Sequence, residues 1–259
     1  MKNRDFVNSI NLLMETHAHH LHKAPGKNFW HYFFEFLMLF LAVFCGFLAE
    51  NIREHKIERE REKEYMKSLM SDLKTDVVNL DSTVSYNSTW KQNADSLFYL
   101  LTLPDYSGKT NSIYFFSRKV SLRDFFYLTD GTIKQLNNAG GLRLISHQDL
   151  VDSISAYENK YSDLEKAQQL KELQLGYYRD ACCKVFDVRI YEQMVSGTRT
   201  SRPIGNPKLI TQNTEDINLL LMRTHYIKRN NASILAILES LKQKANNLQT
   251  MIKKVYHIE

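Results

Sequence analysis

"FWHYFFEFLMLFLAVFCGFLAEN", Phe29 to Asn51, decides the fold. Its first 21 residues, Phe29 to Ala49, would span ~31 Å as a helix, about the hydrocarbon thickness of a bilayer. No charge falls between Phe36 and Ala49. Trp30 and Tyr32 stand near one end, where amphipathic rings favour the interface. A signal peptide would carry a shorter apolar run and a small-residue cleavage site; here "LAENIREHK" follows and the helical pattern continues. Residues 29–49 therefore read as one transmembrane helix. Glu35 lies within it, ~9 Å from the Phe29 end at helical rise. A carboxylate at that depth either snorkels toward Lys27 and the headgroups or touches a second membrane helix, from another copy or a partner.

Working outward, residues 1–28 read as an amphipathic tail. Phe6, Ile10, Leu13, His17 and Leu21 recur at spacings of three and four, until "APGK" ends the stripe. His17 and His20 form an i,i+3 pair that can share a metal ion, although no carboxylate or cysteine completes the set and a solvated or headgroup-facing role competes. On the other side, residues 50–65 are polar on every face. Glu50–Arg53, Glu58–Arg61 and Glu60–Lys63 stand three apart, as in a solvated helical stalk.

Residues 66–259 read as a helical bundle. Met66, Leu73, Leu80, Asn87, Ala94 and Leu101 lie seven apart, and Met70, Val77, Val84, Lys91 and Phe98 form a second line offset by four. Near the C-terminus Leu220, Ile227, Ile234, Leu241, Leu248 and Val255 repeat every seven residues. Ile217, Leu238, Ala245 and Ile252 hold the matching positions, and Thr224 and Asn231 interrupt them; a buried Asn in such a seam fixes register. A middle helix is expected from Ser146 to about Met194, its stripe running Leu150, Ile154, Tyr157, Tyr161, Leu164, then shifting to Tyr177, Ala181, Val185 and Val188. "SGTRTSRPIGNPK" is a loop. The fold class is all-α: an N-terminal transmembrane helix, then an elongated antiparallel bundle with coiled-coil-like heptads.

Residues 104–145 differ. Tyr114, Phe116, Phe125, Phe126 and Tyr127 make the segment aromatic-rich, more simply core than pocket, yet the best place for a ligand pocket. Asp130 is a plausible N-cap for a short helix ended by Gly140 and Gly141. This segment is expected to cap the far end of the bundle.

The remaining composition narrows the chemistry. A net charge of +5 is spread thinly, without a basic block, which argues against nucleic acid as partner. Cys45, Cys182 and Cys183 form no zinc spacing, and the adjacent pair cannot close a relaxed disulfide on a helix. No GxSxG, P-loop, GxGxxG or HExxH occurs, so no enzyme and no cofactor are expected.

Two stretches carry a resemblance: "FFEFLMLFLAVFCGFLAENIRE" with "EKEYMKSLMSDLKTD", and "TIKQLNNAGGLRLISHQDLVDSISAYENKY". Glu35, Leu69 through Asp76, and Thr132, Leu136, Gly140, Leu144 and Ile145 fall in the order seen in a family of uncharacterised bacterial single-pass membrane proteins, which the chain resembles over its first two-thirds. The resemblance implies topology rather than chemistry: a bacterial inner membrane, N-terminus inside, bundle periplasmic. The expected function is a membrane-anchored interaction or scaffold protein. Its partners would be the bilayer and a protein or second copy, engaged through the membrane helix and the heptad seam. A sensory module with a ligand near the aromatic segment is the alternative.

Overall fold

The structure is a computed structural model that describes residues 29–138, 140–197 and 199–258. The tail of residues 1–28, with His17 and His20, lies outside the described residues. The chain divides into two units, residues 1–57 and 58–259. In the first, the described residues are wholly helical, and the helix α1, Phe29–Leu101, continues into the second. Its apolar segment qualifies as a candidate membrane span by length and composition and buries nothing within the chain. Glu50 and Arg53 pair as the spacing predicts.

The second unit is a bundle of α1, α4 (Gln148–Val185) and α6 (Thr214–Tyr256), joined by shorter helices α2 (Thr110–Val120), α3 (Gly131–Asn138) and α5 (Val188–Gln193). Cross-helix bonds fix the directions. Tyr256, Lys242, Asn231 and Lys228 of α6 meet Glu62, Asp81, Asn87 and Asp95 of α1 in reverse order, so these helices are antiparallel. Tyr157 and Lys171 of α4 meet Asp76 and Asn87, so α4 runs parallel to α1.

A parallel pair requires the chain to travel back along the bundle, and residues 102–147 do so. They are not the end cap expected from sequence. Trp90 Nε1 donates to Val120 O at 3.0 Å; further on, Thr129 N–H donates to Asp76 (2.8 Å), Thr132 N–H to Asp72 (3.1 Å) and Ser146 N–H to Glu62 (2.8 Å). The α1 partners descend as the segment advances. Carboxylates of α1 thus supply acceptors that an extended chain and a helix N-terminus would otherwise lack. Gln168 of α4 does the same for Phe126, its side-chain amide bonding both the backbone N–H (2.8 Å) and O (3.2 Å). Gly140 (φ 66°) turns the chain after α3, and a Cβ on Gly141 would sit 3.1 Å from Leu136 Cα.

The seam of α6 is buried as the heptads predict, from Ile217 through Ile252. On α1 the line at Met66, Leu73, Leu80, Asn87, Ala94 and Leu101 is buried too. Its companion, however, is Leu69, Asp76, Thr83, Trp90 and Leu97, offset by three; Lys91 of the expected line is exposed. On α4 the stripe does not shift to Tyr177. It continues through Leu164, Gln168, Lys171, Leu175, Tyr178 and Ala181, and the helix stops at Val185 rather than Met194. The expected loop after it includes a two-residue antiparallel ladder, β1 (Val195–Ser196) with β2 (Arg199–Thr200).

These polar core residues divide the apolar core in two. One cluster gathers Met66–Leu80, Leu150–Leu164 and Ile234–Ile252; the other gathers Trp90–Leu101, Leu175–Val185 and Ile217–Ile227. Between them sits Lys171, 3% exposed. Its ammonium donates to Asn87 Oδ1 (2.8 Å) and Asn231 Oδ1 (2.6 Å) and lies 4.3 Å from the Trp90 ring centroid. Asn231 Nδ2 in turn donates to Asn87 O at 3.1 Å. Two amide oxygens and an aromatic face favour the charged form. Burial opposes them and draws Lys171 down to about 7, with the Asp124 charge resisting.

The unfolded chain keeps that proton to about 10.5. Between pH 7 and 10.5 it therefore binds more protons than the folded chain, and stability rises with pH across that window. Relative to Lys171→Met, the wild-type unfolding free energy should rise by up to about 1.4 kcal/mol per pH unit. Guanidinium melts of both proteins from pH 6 to 10 measure this difference, and parallel curves would refute it. Separately, Gly141→Ala should cost about 1–3 kcal/mol, read as a lower melt midpoint, because the Leu136 backbone cannot retreat.

Candidate functional site

Regular packing ends where α4 ends. Phe186 is extended (ψ 137°), and Asp187 caps α5 by accepting from Arg189 N–H at 2.9 Å. An Asp at this position competes with helix continuation, because its carboxylate offers the next backbone donors a partner. The break opens a cleft of about 820 Å³ between the end of α2, the end of α4 and the turn into α5. That volume lies in the range of small-molecule sites. Leu122, Phe186, Val188 and Ile210 form its apolar wall, and Arg118, Arg123, Arg179 and Arg189 stand around it.

The arginines are matched unequally. Arg179 donates to Ser121 O (2.9 Å), closing the C-terminal end of α2, and reaches Glu172 at 3.4 Å. Arg123 donates to the same carboxylate oxygen at 2.9 Å. Arg189 pairs with Asp187 at 2.6 Å. Arg118 forms no ion pair among the described residues, and its Nε is buried without a hydrogen-bond partner. Four guanidinium groups against Glu172 and Asp187 leave a local excess of two positive charges.

Cys182 and Cys183 both border this cleft and both are free. Cys182 is buried against Tyr178 and Tyr191, and burial pushes its thiol up to about 12. Cys183 is exposed.

The aromatic residues singled out in sequence separate into two places. Tyr114 is core: its hydroxyl donates to Lys208 O (3.1 Å) and accepts from Asp187 N–H (3.0 Å), and its ring packs edge-on against Phe186. Phe116 lies under the Arg202 guanidinium. Phe125, Phe126 and Tyr127 border a different, smaller cleft of about 410 Å³ with Asn79, Thr83 and Tyr86. There Phe126 is buried and Tyr127 exposed. Glu35 is exposed on the apolar segment. Among the described residues no three His, Cys, Asp or Glu side chains converge on a metal-sized site. Comparison with known family models, curated proteins and solved structures finds no match.

The sequence reading missed the arginine cleft because its residues come from three separate segments and share no spacing. The sharpest local signal was "FDVR", an Asp two residues before an Arg within a presumed helix.

The two cysteines should differ in reactivity. Iodoacetamide at pH 8 should label Cys183 in the folded protein and spare Cys182 until denaturant is added, since a thiol near 12 holds only about one part in ten thousand as thiolate. Peptide mass spectrometry reads both sites, and equal labelling of the folded chain would refute the packing around Cys182.

Proposed function

We propose that this chain is a single-pass membrane protein whose helical bundle serves protein interaction rather than catalysis. The observation that carries the reading is the apolar segment: Phe29, Phe33, Phe34, Phe36, Phe40, Phe44 and Phe47 all stand exposed within the chain and require apolar surroundings. Its length fits a bilayer.

Three features support interaction over chemistry. Tyr157 and Lys171, two strongly shifted groups, and Asp76, whose carboxyl burial pushes up, are closed inside the core by their own hydrogen bonds. Cys182, the buried thiol beside the large cleft, is held protonated. An exposed patch on α4 and α6 joins Leu170, Leu173, Tyr177 and Tyr226, with Arg223 4.8 Å from the Tyr177 ring centroid. Tyr and Arg with aliphatic neighbours are the usual anchors of an interface. The heptad seams are occupied within the chain, so association with a protein or a second copy falls to the membrane helix and this patch. The sensory alternative draws on the clefts: ligand binding where helices meet can bias small sliding motions.

The compartment is read from the family resemblance, which puts residues 1–28 inside a bacterial inner membrane and the bundle in the periplasm. Basic residues counted alone favour the reverse, since Arg53, Lys56, Arg59, Arg61, Lys63 and Lys67 after the span outnumber Lys2, Arg4, Lys23 and Lys27 before it. Reporter fusions at the two ends test this: an N-terminal fusion should report cytoplasm and a C-terminal one periplasm, and the reverse pattern overturns the assignment. For association, cross-linking in native membranes should capture a higher-mass species, and Glu35→Gln should reduce it without loss of insertion. A strictly monomeric, partner-free wild type would sink the interaction reading.

A further inference from the structure

We infer that the cleft at the α4–α5 break is a binding site for a small amphipathic carboxylate, a molecule with one acidic group and an aliphatic or aromatic body. The inference does not depend on the interaction reading. It rests on cavity shape, wall chemistry and charge count.

The charge count fixes the ligand's head. Arg189 is neutralised by Asp187. Arg123 and Arg179 share Glu172, and Arg179 also meets the negative end of α2 through Ser121 O. Arg118 is left, with no carboxylate and a buried Nε lacking any acceptor. A buried donor without a partner is costly, and a carboxylate satisfies a guanidinium because its two oxygens match the fork. The two helix C-termini at the cleft add about half a negative charge each, which brings the excess of two guanidinium charges to about one. A phosphate monoester, carrying close to two at neutral pH, fits that count less well.

The walls fix the ligand's body. Leu122, Phe186, Val188 and Ile210 offer an apolar surface, and Val188, 73% exposed on this chain, would be covered by an occupant. The volume of about 820 Å³ exceeds what a bare inorganic ion fills. A polar head held by Arg118 with an apolar body along α5 uses both features.

Cys183 at the edge of the cleft supplies the readout. The full-length protein carrying Cys45→Ser, in phosphatidylcholine nanodiscs, is alkylated with iodoacetamide in the presence of 1-naphthaleneacetate, its neutral analogue 2-(1-naphthyl)ethanol, or inorganic phosphate. The expected result is that 1-naphthaleneacetate at millimolar concentration slows Cys183 labelling by about fivefold, while the alcohol and phosphate change it by less than about twofold. Arg118→Met should abolish the protection, read as the ratio of labelling rates with and without ligand in the same variant, and Arg118→Lys should keep part of it. Val188→Asp, an exposed change on the apolar wall, should also abolish protection and serves if Arg118→Met fails to fold. Protection by the alcohol equal to that by the carboxylate, protection by phosphate alone, or undiminished protection in a folded Arg118→Met or Val188→Asp protein would each overturn the proposal.

Discussion

Lys171 is bonded to one side chain from each of the other two long helices, and the register of the bundle hangs on that node. Its ammonium holds Asn87 of α1 and Asn231 of α6, and Asn231 returns a bond to the α1 backbone. Slipping any of the three helices by a heptad, about 10 Å, would keep the apolar seams filled but strand the ammonium among leucines. Apolar heptads alone tolerate such slips; a buried charge does not. The layer also separates the two apolar clusters, so each is aligned from its own side of one shared marker. Replacing the node by well-packed apolar residues of similar size could raise stability, since desolvating an ammonium is expensive. What it would remove is the distinction between the native register and its neighbours.

The same economy of side-chain acceptors explains why α1 and α4 are parallel. A parallel pair of helices needs a long return segment, and a return segment lying on a bundle has no sheet to satisfy its backbone. Here Glu62, Asp72 and Asp76 project from α1 at helical spacing and catch successive N–H groups, while Gln168 catches both backbone groups of Phe126 from the other side. Each is a polar residue at a core or half-core position of a helix, which periodicity alone would count as an error. Tyr157 and Tyr256 add hydroxyl donors to Asp76 and Glu62, so these carboxylates each serve the return segment and a second long helix at once.

That arrangement sets what the sequence could reveal. The seam of α6 was legible because its interruptions, Thr224 and Asn231, fall within an otherwise unbroken heptad series. On α1 the true second line was obscured because Asp76 and Thr83 occupy it, and the hydrophobic Val77 and Val84 beside them drew the reading one position over. On α4 the stripe reads in sequence as shifting for the same reason: Gln168 and Lys171 look like surface residues until their partners are known. The node itself was half visible, with Asn231 marked as a register residue but its partner Lys171 unrecognised. The apolar helix from Phe29 needed no tertiary information, since it is a candidate span by length and composition alone. The direction of the return segment and the arginine cleft were out of reach, because both are defined by contacts between residues far apart in the chain.

The cleft follows from the way the helices stop. Interdigitated helices leave few voids larger than a water molecule, so a ligand-sized space must come from an interruption. Asp187 provides it by ending α4 and starting α5 at a new angle of chain. Two helix C-termini, at Val120 and Val185, then border the gap, and the negative ends of their dipoles lie there. Cations are stabilised there, which accounts for Arg179 on Ser121 O. Helix ends supply only about half a charge each, however, and with Glu172 and Asp187 they do not balance four guanidinium groups. A bundle selected for stability alone would gain by losing Arg118, whose charge no carboxylate answers. In a roomy, apolar-walled gap Arg118 keeps a buried Nε without an acceptor, and there the chain's own residues leave room for a molecule to supply one.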